Sequence, residues 1–153
     1  MAPNATNSID LAMQRQVALL LRPRLPADVS IERSLTPSAP EQDRVTVLGS
    51  NSPARAEALY LGNAGRAHRQ DELFVRVWIE TIGDDQDDVE DRAESYAREV
   101  EDMAAENPTL GDLDGIAMFG QVVTRKPNDV FQPMAGLFYR WIEVEISATG
   151  RYD

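Results

Sequence analysis

The densest group of possible ligands in this chain is the acidic run Gly83-Asp84-Asp85-Gln86-Asp87-Asp88-Val89-Glu90-Asp91. So many carboxylates in so short a span invite a calcium reading. An EF-hand loop, however, needs Gly at its sixth position and Glu at its twelfth, with alternating oxygen ligands before them. The run does not meet that template. Asp84, Asp85, Asp87, Asp88, Glu90 and Asp91 read instead as helix-start charge and a solvated acidic face, because anions are favoured where a helix begins.

Other chemistry is equally thin. His68 is the only histidine, set in a polar stretch between Ala67 and Arg69 with no carboxylate or nucleophile beside it, so it reads as a surface residue and not a general base. No cysteine exists to act as nucleophile, thiolate ligand or disulfide partner. No G-x-S-x-G is present. Gly62-Asn63-Ala64-Gly65 lacks the Lys-Ser/Thr of a P-loop and reads as a turn. Trp78, Tyr139 and Trp141, with Phe74, are the remaining residues of interest. Large aromatics on strands serve cores and subunit interfaces alike, and both readings stay open for them. No catalytic set, cofactor site or metal site is expected.

The elements that position these groups follow from periodicity. Ile9, Met13, Val17 and Leu20 form one apolar stripe of a first helix, capped by Asn7 or Ser8 and ended by Pro23 and Pro26. Val29, Ile31 and Leu35 fit an alternating strand, and Thr36 to Asp43 is a turn-rich connector. Val45 to Leu48 is a short strand, Ala56 to Leu61 a second one, and Gly62 to Gln70 a polar loop. The clearest strand has Leu73, Val75, Val77 and Ile79 on one face and Phe74, Arg76, Trp78 and Glu80 on the other. Apolar groups on both faces place it centrally in a sheet.

Asp84 or Asp85 then caps a long helix whose buried stripe is Val89, Ala93, Tyr96, Ala97, Val100, Met103 and Ala104. Asp88–Arg92 and Glu94–Arg98 are i,i+4 pairs, and Asn107-Pro108 with Gly111 stops the helix. Strands over residues 115–124 and 136–148 complete the chain. The connection from Arg125 to Ala135 reads as a long hairpin loop, with Val130, Phe131 and Met134 at an apolar tip that either docks a partner or folds back over the sheet. The fold class is α+β: a mostly antiparallel sheet with two helices packed on one face, in a single domain over residues 1–153 with long loops at about 49–70 and 125–135.

Charge is distributed unevenly. Residues 1–81 carry 9 basic and 9 acidic side chains, whereas residues 82–153 carry 6 and 17, which accounts for the whole net charge of −11. Such a surface repels nucleic acid and anionic membranes, so sequence-specific DNA binding is not expected. The opening residues lack a basic n-region and Val17 to Leu21 is too short to span a bilayer, which points to an intracellular product with no membrane partner.

Several segments resemble one family. The strand LFVRVWIE (Leu73 to Glu80), the turn GDDQDD, the helix DRAESYAREVEDMAAENPTLGD and the late strand WIEVEISATGR look like tail terminator proteins (minor tail or tail-completion proteins) of long-tailed phages, especially those of actinobacteria. Asn107-Pro108-Thr109-Leu110-Gly111 after an acidic-faced helix is the most characteristic piece. Val45 to Leu61 and the opening helix with its ALLLRPRLP also fit. Residues 124–135 depart from the family, being longer and more apolar at the tip.

The resemblance implies a homo-oligomeric ring, a hexamer, that caps the head-proximal end of the tail tube, halts tube polymerisation and offers the head connector a docking surface. DNA would pass through without specific binding. On that view Phe74, Trp78, Tyr139 and Trp141 pack subunit on subunit. Arg55, Arg66 and Arg69 in one loop, with Val130, Phe131 and Met134 in the other, meet tube or connector. The protein would sit in the virion at the head–tail junction, after assembly from the host cytoplasm. Two other readings stand beside this one: a head-completion ring of the same particle, and an acidic inhibitor that mimics DNA phosphates. An enzyme is disfavoured by the lack of any catalytic set.

Overall fold

The structure, a computed structural model, describes residues 5–36, 40–49 and 69–152. Helix α1 spans Ala5–Leu21 and runs into a 3-10 turn at Arg22–Arg24. Strands β1 (Ser30–Glu32), β2 (Arg44–Leu48) and β3 (Arg69–Gly83) follow, then helix α2 (Gln86–Glu106). Strands β4 (Ile116–Pro127), β5 (Phe131–Met134) and β6 (Leu137–Tyr152) close the sequence. The six strands form one sheet in the order β1-β2-β3-β6-β4, with β5 also on β6. Every pairing is antiparallel except β1 with β2. This is the expected α+β architecture.

The register explains why the two described helices share one face. Val45 and Val47 lie opposite Ile79 and Val77, which in turn lie opposite Ile142 and Val144, with Val75 opposite Ile146. Alternation puts all of these side chains on the same side of the sheet. They form one buried cluster with Met13, Val17 and Leu21 of α1 and with Ala93, Tyr96, Ala97, Val100, Met103 and Ala104 of α2. The predicted stripe of α2, Val89 included, is buried throughout. β3 is central, flanked by β2 and β6.

Asp85 is the N-cap of α2, its carboxylate accepting the Asp88 N–H at 3.1 Å. At the other end Asn107 caps the helix and donates Nδ2 to the Met103 carbonyl at 2.8 Å. The chain then turns through Leu110, which holds φ at +53° while fully buried. That backbone is uncommon for a bulky residue. It is held by the burial of Leu110, by the Thr109–Asp112 side-chain bond of 2.9 Å and by the Phe119 N–H on the Pro108 carbonyl at 2.8 Å. The Asn-Pro-Thr-Leu-Gly segment is thus a rigid elbow aiming β4 at the sheet.

Tyr96, Arg92 and the Ile82 N–H converge on the buried Asp43, at 2.9, 2.7 and 3.2 Å. This latch ties α2 to the segment entering β2. Burial, and then the hydrogen bond to Asp43, push the Tyr96 hydroxyl well above the usual tyrosine pKa. Asp88 completes the cluster, 3.2 Å from Arg92 Nε as an i,i+4 ion pair, at an angle that leaves Nε without a hydrogen bond.

Several local expectations are corrected. α1 starts at Ala5, so Asn7 and Ser8 lie inside the helix and do not cap it. Its deepest stripe ends on Leu21 and not Leu20, because an i,i+4 step from Val17 keeps the face aligned. β1 stops at Glu32 and leaves Leu35 exposed. Glu94 turns away from Arg98 to meet Arg125 and Arg140. β4 and β6 are longer than expected, since each continues to pair along the other.

Candidate interface: the aromatic face of the sheet

The side of the sheet opposite the core carries the aromatic residues. Among the described residues no helix packs there. Register sets Trp78 opposite Glu143, and Glu80 opposite Trp141, so the two indoles are diagonal neighbours. They stack with centroids 5.2 Å apart and planes 6° from parallel. Such an offset pair adds about 0.5–1.5 kcal/mol beyond its buried area. Trp78 Nε1 donates to Glu143 at 2.7 Å. Tyr139 follows two residues before Trp141 on the same face, and Phe131 of β5 leans on it with centroids 5.0 Å apart at 57°. Trp78, Tyr139 and Trp141, all half-buried, therefore form one aromatic strip that ends on the exposed Phe131. Phe74 shares the face, roughly 13 Å away along β3.

Two buried carboxylates anchor this strip. Glu80 is held by Arg44 through two bonds, 2.8 Å from Nε and 3.2 Å from Nη2, and also accepts the Tyr139 hydroxyl. Glu32 adds a weaker contact to Arg44 at 3.9 Å. The hydrogen bond to Glu80 raises the Arg44 pKa against the opposing effect of desolvation. Burial, and then the bond to Glu80, push the Tyr139 hydroxyl well up from its usual value. Glu143 receives Trp78 and lies near Lys126 at 3.6 Å and Arg76 at 4.0 Å, while Lys126 also reaches Glu145 at 3.7 Å. Both carboxylates are thus closely matched by cations and hydrogen-bond donors. Their effect is to hold the aromatic rings in fixed orientations.

The segment expected to be a projecting hairpin loop is not one. β4 runs to Pro127, the Asn128 N–H continues the ladder onto the Trp141 carbonyl at 3.0 Å, and β5 resumes it with Phe131 opposite Tyr139. Met134 pairs with Leu137 across the two-residue turn Ala135-Gly136. The segment is therefore a strand paired with β6 within the sheet. Val130 is half-buried, whereas Phe131 and Met134 stay exposed at 46% and 64%. Pairing wins because a β-strand edge satisfies backbone groups that a free loop would leave to water.

Arg69 belongs to β3, paired with Tyr152, and not to a loop. Arg55, Arg66 and His68, the expected strand over Ala56 to Leu61, and most of the expected loop at 49–70 lie outside the described residues.

The acidic face divides in two. Asp85 is occupied as a cap, Asp88 pairs with Arg92, and Glu90 accepts from Gln86 Nε2 at 2.9 Å. Further along α2, Glu94 and Glu101 are bound by Arg125, Glu94 also by Arg140 at 3.0 Å, and Glu99 and Glu106 by Arg24. Asp84, Asp87 and Asp91 are exposed and have no partner among the described residues. Sequence reasoning missed Arg24, Arg125 and Arg140, which come from distant elements and carry no local signal. It also missed Glu80, Glu143 and Arg44, although charged residues inside strands of otherwise apolar alternation were a usable sign.

Among the described residues no group of three or more His, Cys, Asp or Glu side chains is placed to hold a metal ion, and no helix is long and apolar enough to cross a membrane. Compared with known proteins, the sequence matches no family model and no curated protein.

Proposed function

We propose that this chain is a structural, ring-forming protein of a phage tail: a tail terminator that caps the tail tube and receives the head connector. The observation that carries this reading is the sheet edge formed by β4 and β5. Met118, Val122, Phe131 and Met134 are exposed along it at 42, 62, 46 and 64%. An edge strand with unpaired backbone groups and a row of apolar side chains is a template for another chain. Monomeric proteins blunt such edges with charge, proline or bulges. Here Lys126, Pro127, Pro133 and the irregularities in β4 and β5 blunt the edge in part, and the four apolar side chains stay exposed between them. The aromatic strip of Trp78, Tyr139 and Trp141 lies beside this edge and supplies the rigid anchor residues that interfaces favour.

In this reading the aromatic face packs subunit on subunit, and the β4–β5 edge meets tube or connector. DNA passes through the ring without being held. The same geometry suits a head-completion ring, which differs only in its neighbours. The DNA-mimic alternative is weakened by Arg24, Arg125 and Arg140, which neutralise the acids of α2 that a phosphate mimic would display.

The test is the native mass by light scattering over a concentration series. A ring of six 17.0 kDa chains weighs 102 kDa, and Trp141→Ala should shift the population away from it. Full assembly of that variant would remove the aromatic face from the interface. A wild-type monomer that also fails to bind purified tail tubes would refute the ring reading itself.

A further inference from the structure

A groove of about 410 Å³ lies between α1 and β1, lined by Arg15, Ala18, Leu19, Arg22, Ile31 and Arg33. Its position is at the opposite sheet edge from β4, since among the described residues β1 pairs only with β2. Leu19 is 69% exposed on its wall. Arg22 is fixed, donating to the Val29 and Pro26 carbonyls at 2.8 and 2.6 Å. Arg15 and Arg33 are exposed, and neither has a hydrogen bond or ion pair among the described residues. Three arginines around an apolar floor are notable in a chain of net charge −11, where almost every other described cation is paired with an acid.

The matching charges are on the same molecule but elsewhere. Asp84, Asp87 and Asp91 project from the start of α2, with Asp87 and Asp91 an i,i+4 step apart and therefore on one helix face. They are the remainder of the acidic run, without a partner among the described residues.

We propose that the α1–β1 groove receives the acidic start of α2 from a second copy of this chain. Arg15 and Arg33 would face Asp87 and Asp91, and Leu19 and Ile31 would be covered. The groove and the acidic end are different surfaces, so the contact is head-to-tail and leaves one free half on each end. Contacts of this kind propagate, and they close into a ring when the rotation between neighbours allows. The proposal rests on the ring reading and adds to it the surface that sets subunit order. Because the pairs are at a rim, they govern register and encounter more than raw affinity. Assembly should therefore weaken as salt screens them.

Charge reversal tests this in the full chain. Arg15→Glu with Arg33→Glu, and separately Asp87→Lys with Asp91→Lys, should each raise the concentration for half-assembly by roughly tenfold or more, with circular dichroism unchanged. The chain carrying all four substitutions should recover assembly, because the two faces again match. Reversed variants that assemble like the wild type would overturn the groove contact while leaving the ring reading standing. Loss in both variants without recovery in the fourfold chain would overturn the pairing of these two surfaces. A wild type that stays monomeric at every concentration, at low salt as well as high, would overturn this contact and count against self-assembly of the ring.

Discussion

Asp43→Asn removes a single charge without changing shape, and the geometry around it sets the outcome. The carboxylate faces three donors: the Ile82 N–H at 3.2 Å, Arg92 Nη1 at 2.7 Å and the Tyr96 hydroxyl at 2.9 Å. An asparagine side chain has one acceptor oxygen and one donating amide. If the oxygen keeps Ile82, the amide points at Arg92; if it flips, the amide points at the Ile82 N–H. Tyr96 can rotate its hydroxyl to accept, but one donor is stranded in either orientation. A stranded buried donor costs about 1–3 kcal/mol, and the lost charge-assisted bond about as much again. Arg92 is 30% exposed and keeps Asp88, which softens the loss. The net expectation is a destabilisation of about 3 kcal/mol. With a urea m-value of about 2 kcal/mol per M for a chain of this size, the midpoint should fall by roughly 1.5 M. The measurement is equilibrium urea unfolding of wild type, Asp43→Asn, Arg92→Met and the double variant. A shift below about 0.5 M, or a coupling near zero in the cycle, would mean that the latch does not hold α2 to the sheet.

Two further outcomes follow from single side chains. Tyr96 and Tyr139 both have pKa values raised in the folded chain by burial and by their carboxylate partners. Their unfolded value is about 10, so above about pH 10 the unfolded state loses protons that the folded state keeps. Stability is then full below pH 10 and falls as pH rises, by up to about 1.4 kcal/mol per pH unit for each tyrosine. Tyr96→Phe should flatten that decline in alkaline urea titrations, and an unchanged slope would contradict the assignment. Gly120 holds φ at +77° where β4 crosses α2, and a methyl group there would meet Ala104 Cβ and its carbonyl oxygen at 3.2 Å. Gly120→Ala should cost about 1–2 kcal/mol from backbone strain alone, plus a steric share. Gly136→Ala, at φ +78° with nothing within 4 Å, should cost only the strain. Equal thermal midpoints for the two variants would remove the close β4–α2 approach from the account.

What the sequence determined by itself was whatever depends on near neighbours. The stripe of α2, its cap at Asp84 or Asp85 and its stop at Asn107 follow from helical spacing and end-group chemistry, both settled within a few residues. The alternation of β3, with its central place in the sheet, follows likewise from a period of two. Where local rules compete, the boundary moved: α1 begins before its apparent caps because helix ends fray and side-chain capping is worth only about 1 kcal/mol. Tertiary structure decided the rest. Phe131 and Met134 read as a loop tip until the turn at Ala135-Gly136 fixed a register that laid them along β6. Trp78 and Trp141 are separated by a helix and two strands, and only the β3–β6 register makes them stack. The acidic helix looked uniformly solvated until Arg24, Arg125 and Arg140 arrived from other elements to bind four of its acids. Pairings of this kind depend on which strands lie side by side, and that is set by burying one shared core rather than by any short stretch of residues.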